Sequence, residues 1–337
     1  MLKTIQFIGR YRAVKRFFAS QRDTTAYNFF RFAEGCNFIT DRFVEVAPET
    51  ASMGFGLRAI CDVKRGDILL SVQQPLWHAY SSASSFEYVQ KNSSDMIPNL
   101  QNVITKVSPD KKMQEELEQV ICLSLRLMHG MDSGSDEYLN YIRRSIASST
   151  PHALCMGDTW VALLKGTQCG RGIGIRRQMF DMLANAIFPG REMQFKQAVG
   201  VILSRGLSGN ENPFTLVPYL DLANHSSTPN AEHEYNVNTQ TWHLRAVTDI
   251  VKGDEVSISY GTGRNTNSFV YLYGFAPTDN INDAVTVQVP LSTGDTWRAK
   301  YIQMKPSQVH GVIEIPVQIF VTIQKCERNF QLSTHKF

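Results

Sequence analysis

The stretch Leu216-Val-Pro-Tyr-Leu-Asp-Leu-Ala-Asn-His-Ser226 constrains this chain more than any other. It reads as an apolar, strand-like run that ends in Asp221, Asn224 and His225, with the turn formers Ser226, Ser227, Pro229 and Asn230 directly after it. Polar groups at the end of a buried strand need hydrogen-bond partners. The segment is therefore either a turn that satisfies itself or one wall of a site.

A second segment bears on that choice. Glu255-Val-Ser-Ile-Ser-Tyr260-Gly261 alternates like a strand, the polar loop 262–266 follows, and a short apolar helix ends at Tyr273-Gly274-Phe275. Two tyrosines and a phenylalanine are thereby returned to one neighbourhood. Upstream lie Ser204-Arg205 and Gly54-Phe55-Gly56-Leu57-Arg58-Ala59. Two glycines let a backbone approach a ligand closely, although a lone GxG is also an ordinary tight turn.

These four pieces, in this order, resemble the SET-domain protein methyltransferases. Within them they are most similar to the branch containing the plant Rubisco large-subunit lysine methyltransferase and the actin-histidine methyltransferase. The resemblance runs from about residue 27 to about residue 290. It implies an α+β fold: a SET-domain β-fold of small sheets with a knot-like cofactor site, a large helical insertion and a shortened C-terminal region. It implies S-adenosyl-L-methionine as the cofactor and a protein lysine as the methyl acceptor, with a histidine acceptor or a catalytically idle binding module as the other readings.

By resemblance, Tyr260 is the catalytic tyrosine, and Phe55, Arg205, Asn224, His225, Tyr260 and Phe275 meet the cofactor. Arg205 matches the arginine at its carboxylate and Phe275 the aromatic at its adenine. Tyr235 and Tyr273 match tyrosines of the target channel, and Asp221 either orients the substrate amine or buttresses Arg205. Leu207 stands where the actin-histidine enzyme has an asparagine, and an apolar wall suits the alkyl stem of lysine. Met53 stands where the family usually has glutamate, a departure at one side-chain contact.

Composition narrows the alternatives. A net charge of +3 over 337 residues, with no basic stripe carrying interleaved aromatics, does not suggest a polynucleotide partner. The six cysteines lack CxxC spacing, so neither a zinc site nor a disulfide framework is expected. No run of apolar residues reaches membrane-spanning length.

Residues 1–22 carry Lys3, Arg10, Arg12, Lys15, Arg16 and Arg22 and no acid, with Leu2, Ile5, Ile8 and Tyr11 at helical spacing. This is the pattern of an organellar transit peptide, mitochondrial for preference, with a plastid as the other organelle. Cutting after Phe18 would remove five positive charges and turn +3 into −2. A basic surface helix on a cytoplasmic or nuclear protein is the competing reading.

The remaining expectations are coarse. A short helix covers 27–35, and strands cover 43–46, 57–63 and 68–72, with a turn over 48–56. Residues 23–83 form the first part of the SET core, 84–203 the insertion, 204–280 the second part with the motifs, and 281–337 the shortened C-terminal region. Within the insertion, Met113, Leu117, Val120, Ile121, Leu127 and Met128 mark a helix that Gly130 should end. Further helices are expected over 173–188 and 192–203, a strand over 284–290 and a helix start over 295–304. His233 and His243 are read as structural.

Overall fold

The computed structural model describes residues 36–50, 54–93, 96–148, 152–209, 212–278, 280–290 and 310–316. The segment 1–22, the helix expected over 27–35, Met53 and the helix start over 295–304 lie outside the described residues.

The described residues form two four-stranded sheets and a run of helices. The first joins β1 (Ile39–Thr40), β4 (Ile68–Gln73), β9 (Thr241–Ala246) and β8 (Ala231–Asn236), all antiparallel, in that spatial order. Trp242, Leu244 and Ala246 alternate into the core from β9, as the two-residue repeat of a strand dictates. β4 buries Leu69, Leu70, Ser71 and Val72 in a row, because both of its faces are covered. The buried Ser71 hydroxyl donates to Asp41 at 2.6 Å and lies 2.8 Å from His243 Nδ1, which gives that histidine a structural partner.

The second sheet joins β2 (Val44–Thr50), β3 (Gly54–Ala59), β10 (Glu255–Ile258) and β7 (Asn224–His225). β2, β3 and β10 are antiparallel, but β7 runs parallel to β10. Two further antiparallel pairs are β5 (Leu207–Gly209) with β6 (Asn212–Thr215), and β11 (Ala284–Pro290) with β12 (His310–Pro316).

Between β4 and β5 the chain is helical: α1 (Gln74–Trp77), α2 (Ser82–Asn92), α3 (Ile97–Val107), α4 (Lys111–Ser133), α5 (Glu137–Ser148), α6 (Asp158–Leu163), α7 (Gln168–Ile187) and α8 (Glu192–Arg205). A ninth helix, α9 (Thr266–Tyr273), follows β10. Local chemistry sets many of the ends. Ser81, Asp110, Thr167 and Asn265 accept from first-turn N–H groups of α2, α4, α7 and α9. Gly274 closes α9 with φ 84°, where a side chain would be strained. Leu117, Val120, Ile121 and Leu127 of α4 meet Phe195, Ala198, Val199 and Ile202 of α8 in the common core.

Four local expectations are corrected. Gly130 does not end α4, which continues to Ser133 and stops at Gly134 with φ 63°. A Cβ at Gly130 would overlap Leu139 Cδ1, so this glycine serves close packing by the residue on α5. Gly54 to Gly56 are not a turn but the first half of β3, with Gly56 opposite Ala47 across a bulged register, and β3 ends at Ala59 rather than Val63. The run 216–222 is not a strand: Tyr219 sits at φ 76° and a single 3-10 turn spans Leu220–Leu222. Leu216, Val217, Leu220 and Leu222 are nonetheless buried, so the apolar pattern reports burial rather than strand geometry.

The five described cysteines, Cys36, Cys61, Cys122, Cys155 and Cys169, are free thiols. Among the described residues no helix is long and apolar enough to cross a membrane.

Candidate active site

The parallel pairing of β7 with β10 sets Asn224 beside Ser257 and His225 beside Ile258. So short a strand needs side-chain support. Asn230 supplies it, donating Nδ2 to the Glu255 carbonyl at 2.8 Å and accepting from the Ser257 N–H at 2.9 Å. The Asn224 amide donates to Glu255 Oε1 at 2.8 Å. Gly56 lies directly behind this pair, where a Cβ would come within 2.7 Å of Asn224 Nδ2 and 2.8 Å of Glu255 Oε1. Three chain segments thus converge at one point because one of them has no side chain there.

Tyr260 leaves β10 next to this crossing. Its N–H donates to His225 Nδ1 at 3.2 Å and its hydroxyl to the Ala223 carbonyl at 3.1 Å. Its own carbonyl accepts from the Tyr273 hydroxyl at 2.8 Å and from Arg264 Nε at 3.1 Å. The rings of Tyr260 and Tyr273 are 4.9 Å apart, and His225, Phe269 and Phe275 complete an aromatic cluster. Burial pushes the Tyr260 phenol up to about 12, so it is a hydrogen-bond donor throughout the neutral range. Phe269 is buried and Phe275 is about a third exposed, so the cluster opens to solvent on the Phe275 side.

Arg205 ends α8, where a cation meets the negative end of the helix dipole favourably. Its Nη1 donates to the backbone carbonyl of Asp221 at 3.1 Å and stands 3.7 Å from the Asp221 carboxylate. The Asp221 side chain is wholly buried, whereas a quarter of the Arg205 side chain is exposed. Tyr138 of α5, also buried, donates its hydroxyl to Asp221 Oδ2 at 2.9 Å, and Asp221 Oδ1 has no hydrogen-bond partner. Burial pushes the Asp221 carboxyl above the usual carboxylate range, with Arg205 and the Tyr138 hydroxyl pulling back. Burial is the largest influence on the Arg205 guanidinium and would lower it, but Asp221 together with the Tyr141, Tyr260 and Tyr138 phenols raises it overall. The arrangement is a buried carboxylate beside a guanidinium that is a quarter exposed.

Tyr260, Tyr273, Phe275, His225 and Asn224 are therefore brought together, with Arg205 and Asp221 joined to them through Ala223, which follows the Leu220–Leu222 turn. Phe55 lies on β3 next to Gly56, and its side chain is outside the described residues. Leu207 lies on β5, immediately beyond Arg205, and is half-buried against the core. Tyr235 is on the other sheet: its ring meets Trp77 at 5.6 Å and Trp242 at 5.2 Å rather than the tyrosine pair. Asp221 faces Tyr138 and Arg205 in the interior, the geometry of a buttress.

Sequence reasoning missed Tyr138, Phe269, Arg264 and Glu255. Glu255 and Phe269 sit inside the quoted motifs, so their placement was the available signal. Nothing in the pattern of the insertion singles out Tyr138.

A SET domain matches residues 54–261, more than half of the chain. The chain belongs to the SET domain family. It is 22% identical over 271 residues to the chloroplastic Ribulose-1,5 bisphosphate carboxylase/oxygenase large subunit N-methyltransferase of Pisum sativum, a match covering 75% of this chain and 52% of that protein. It is 33% identical over 92 residues to SET domain-containing protein 8 of Schizosaccharomyces pombe, covering 26% of this chain and 21% of that protein. The chain thus spans about half the length of the pea relative and a fifth of the yeast one. Among solved structures, Rubisco LSMT bound to AdoMet superposes with a TM-score of 0.62 at 19% identity, over 88% of this chain and 67% of that chain. The SET domain of LSMT bound to lysine and AdoHcy gives 0.60 at 17% identity, over 87% of this chain and 67% of that one. These likenesses identify the fold, an α+β SET architecture related to the Rubisco enzyme's branch.

Proposed function

We propose that this SET domain is an S-adenosyl-L-methionine-dependent protein-lysine N-methyltransferase acting on a non-histone protein. The observation that carries the reading is the joining of Tyr260 and Arg205 at one strand crossing: Arg205 donates to the Asp221 carbonyl and Tyr260 to the Ala223 carbonyl, two residues apart.

The residues present fit the cofactor. Arg205 is a partly exposed guanidinium suited to a carboxylate, Gly56 lets the Asn224–Glu255 pair close on the backbone at the crossing, and the partly exposed Phe275 offers an aromatic face. Phe55, Asn224 and His225 complete the proposed cradle. S-adenosylmethionine supplies a methyl group already activated by its sulfonium, so the protein contributes alignment and electrostatics rather than acid–base strength.

The attacking lysine must be neutral, and its ordinary pKa is ~10.4. An aromatic channel beside a cation lowers it through desolvation and like charge. Tyr273 and Tyr260 would form that channel, with Leu207 as an apolar wall, whereas Tyr235 packs on Trp77 and Trp242 of the other sheet and would reach only the substrate beyond it. The apolar Leu207 favours a lysine stem over an imidazole, and Asp221 acts through Arg205. The pea relative named as a large subunit N-methyltransferase and the LSMT structure bound to lysine support the same acceptor.

The boundaries 23–83, 84–203, 204–280 and 281–337 are our proposed division of the chain after a leader over 1–22. The acid-free leader supports a mitochondrial location, and the chloroplastic pea relative supports a plastid as the alternative.

Calorimetric titration of S-adenosylmethionine into the full chain tests the reading, with Arg205→Ala as control. Saturable binding that the control weakens at least tenfold is expected; no binding by a folded protein would overturn it. Methylation of an imidazole in preference to lysine, scored on trapped substrates by mass spectrometry, would move the assignment to the histidine class.

A further inference from the structure

His152 lies in the helical insertion, ahead of the 3-10 turn Ala153–Cys155 and outside the site described above. Its Nε2 is 2.8 Å from the Leu272 carbonyl oxygen, and its Nδ1 is 3.2 Å from the Leu154 N–H, which donates to it. A carbonyl can only accept, so Nε2 carries the proton, and Nδ1 must be bare to receive Leu154. The two contacts specify one neutral tautomer. Burial agrees, lowering the imidazole to about 4.

The Leu272 carbonyl belongs to the last turn of α9, where carbonyls lack intrahelical partners. The Gly274 N–H that closes this end goes to Phe269 and Val270 and leaves Leu272 unserved. His152 therefore caps α9 from a segment 120 residues away. The same residue is pressed against α8: a Cβ at Gly200 would come within 2.9 Å of His152 Cβ. Gly200 lies on the helix that ends at Arg205, and Leu272 precedes Tyr273. Nearby, the Arg176 guanidinium of α7 lies 4.0 Å over the Tyr271 ring and adds to the lowering of His152.

We propose that His152 is a positioning residue of the methyl-transfer site, fixing the end of α9 against α8 so that Tyr273 meets Tyr260. The route is short. His152 holds Leu272; the next residue, Tyr273, donates to the Tyr260 carbonyl at 2.8 Å; and the Tyr260 hydroxyl is anchored on Ala223. The cofactor arginine at the end of α8 and the acceptor-side tyrosine at the end of α9 share one spacer. The proposal rests on the methyltransferase reading for its consequence, but the clamp can be observed without catalysis.

The test compares the full chain with His152→Gln, which can place an N–H at the reach of Nε2, and His152→Leu, which keeps bulk without a donor. Hydrogen–deuterium exchange is followed in peptides spanning 264–278 and, as reference, 231–246. Loss of one capping bond should speed exchange about tenfold at the end of α9 in His152→Leu, leave the β8–β9 peptides unchanged, and be largely reversed in His152→Gln. In turnover with S-adenosylmethionine, His152→Leu should lower kcat about tenfold with the KM for S-adenosylmethionine unchanged, and His152→Gln should recover most of it. Unchanged exchange in His152→Leu, equal effects of Leu and Gln, acceleration throughout both sheets, or unaltered kcat despite a loosened α9 would each overturn the proposal. A wild-type chain that binds no cofactor refutes the functional reading, while the exchange comparison still decides the clamp.

Discussion

Tyr138→Phe removes one oxygen atom from a side chain with no exposed surface, and its cost follows from what is left behind. The hydroxyl donates to Asp221 Oδ2 at 2.9 Å, Oδ1 has no partner, and Arg205 Nη1 is 3.7 Å from the carboxylate, beyond a good hydrogen bond. Without the hydroxyl the wholly buried carboxylate keeps no hydrogen-bond donor among these groups. A hydrogen bond to a charged group contributes about 1.5–3 kcal/mol, so a loss of that size is expected at pH 7. The carboxyl also rises further, since the hydroxyl was pulling it down, and Arg205 loses part of its counter-charge. The assay is a double-mutant cycle of Tyr138→Phe with Asp221→Asn, read by urea unfolding followed in circular dichroism. Removing the hydroxyl should cost about 1.5–3 kcal/mol beside Asp221 and under about 1 kcal/mol beside the neutral amide. A coupling energy within about 0.5 kcal/mol of zero would refute the assignment of Tyr138 to the Arg205 network.

Gly56→Ala should cost about 1–3 kcal/mol of stability, because the new Cβ lands on the Asn224–Glu255 hydrogen bond; cofactor affinity measured by calorimetry should fall with it. The folded-state pKa of His152 is lowered from 6.5 to about 4. The unfolded chain therefore takes up that proton first as pH falls, and the associated stability is complete above pH 6.5 and lost on the way to pH 4. Unfolding curves of wild type and His152→Gln across this window should differ in slope, the wild type losing ~1–3 kcal/mol more; parallel curves would remove His152 from the acid limb. Tyr260→Phe should lower turnover while leaving the affinity for S-adenosylmethionine nearly unchanged, as a group acting at the transferring methyl requires; equal turnover would exclude that role.

What could be read from the sequence was local in its cause. Alternation marked β10, apolar spacing marked α4, α7, α8 and α9, and the order of four short motifs pointed to the family to which the chain belongs. These features depend on neighbours within a few residues, and the residue types record them directly.

The tertiary structure decided whatever depends on close approach between distant segments. Gly130 looked like a helix end, but the side chain it admits is Leu139 of the next helix. Gly54 to Gly56 looked like a turn, and became a strand because Gly56 pairs with Ala47 and Gly54 with Thr50 on the two sides of a bulge. Leu216 to Leu222 looked like a strand because burial writes the same apolar pattern whether the backbone is extended or, as at Tyr219, turned. Asp221 looked equally suited to a substrate amine, until the fold supplied Tyr138 from 83 residues upstream and enclosed both. A single sequence names the groups that carry chemistry; which of them face one another is set by how segments far apart in the chain pack together, and that packing has no local signature.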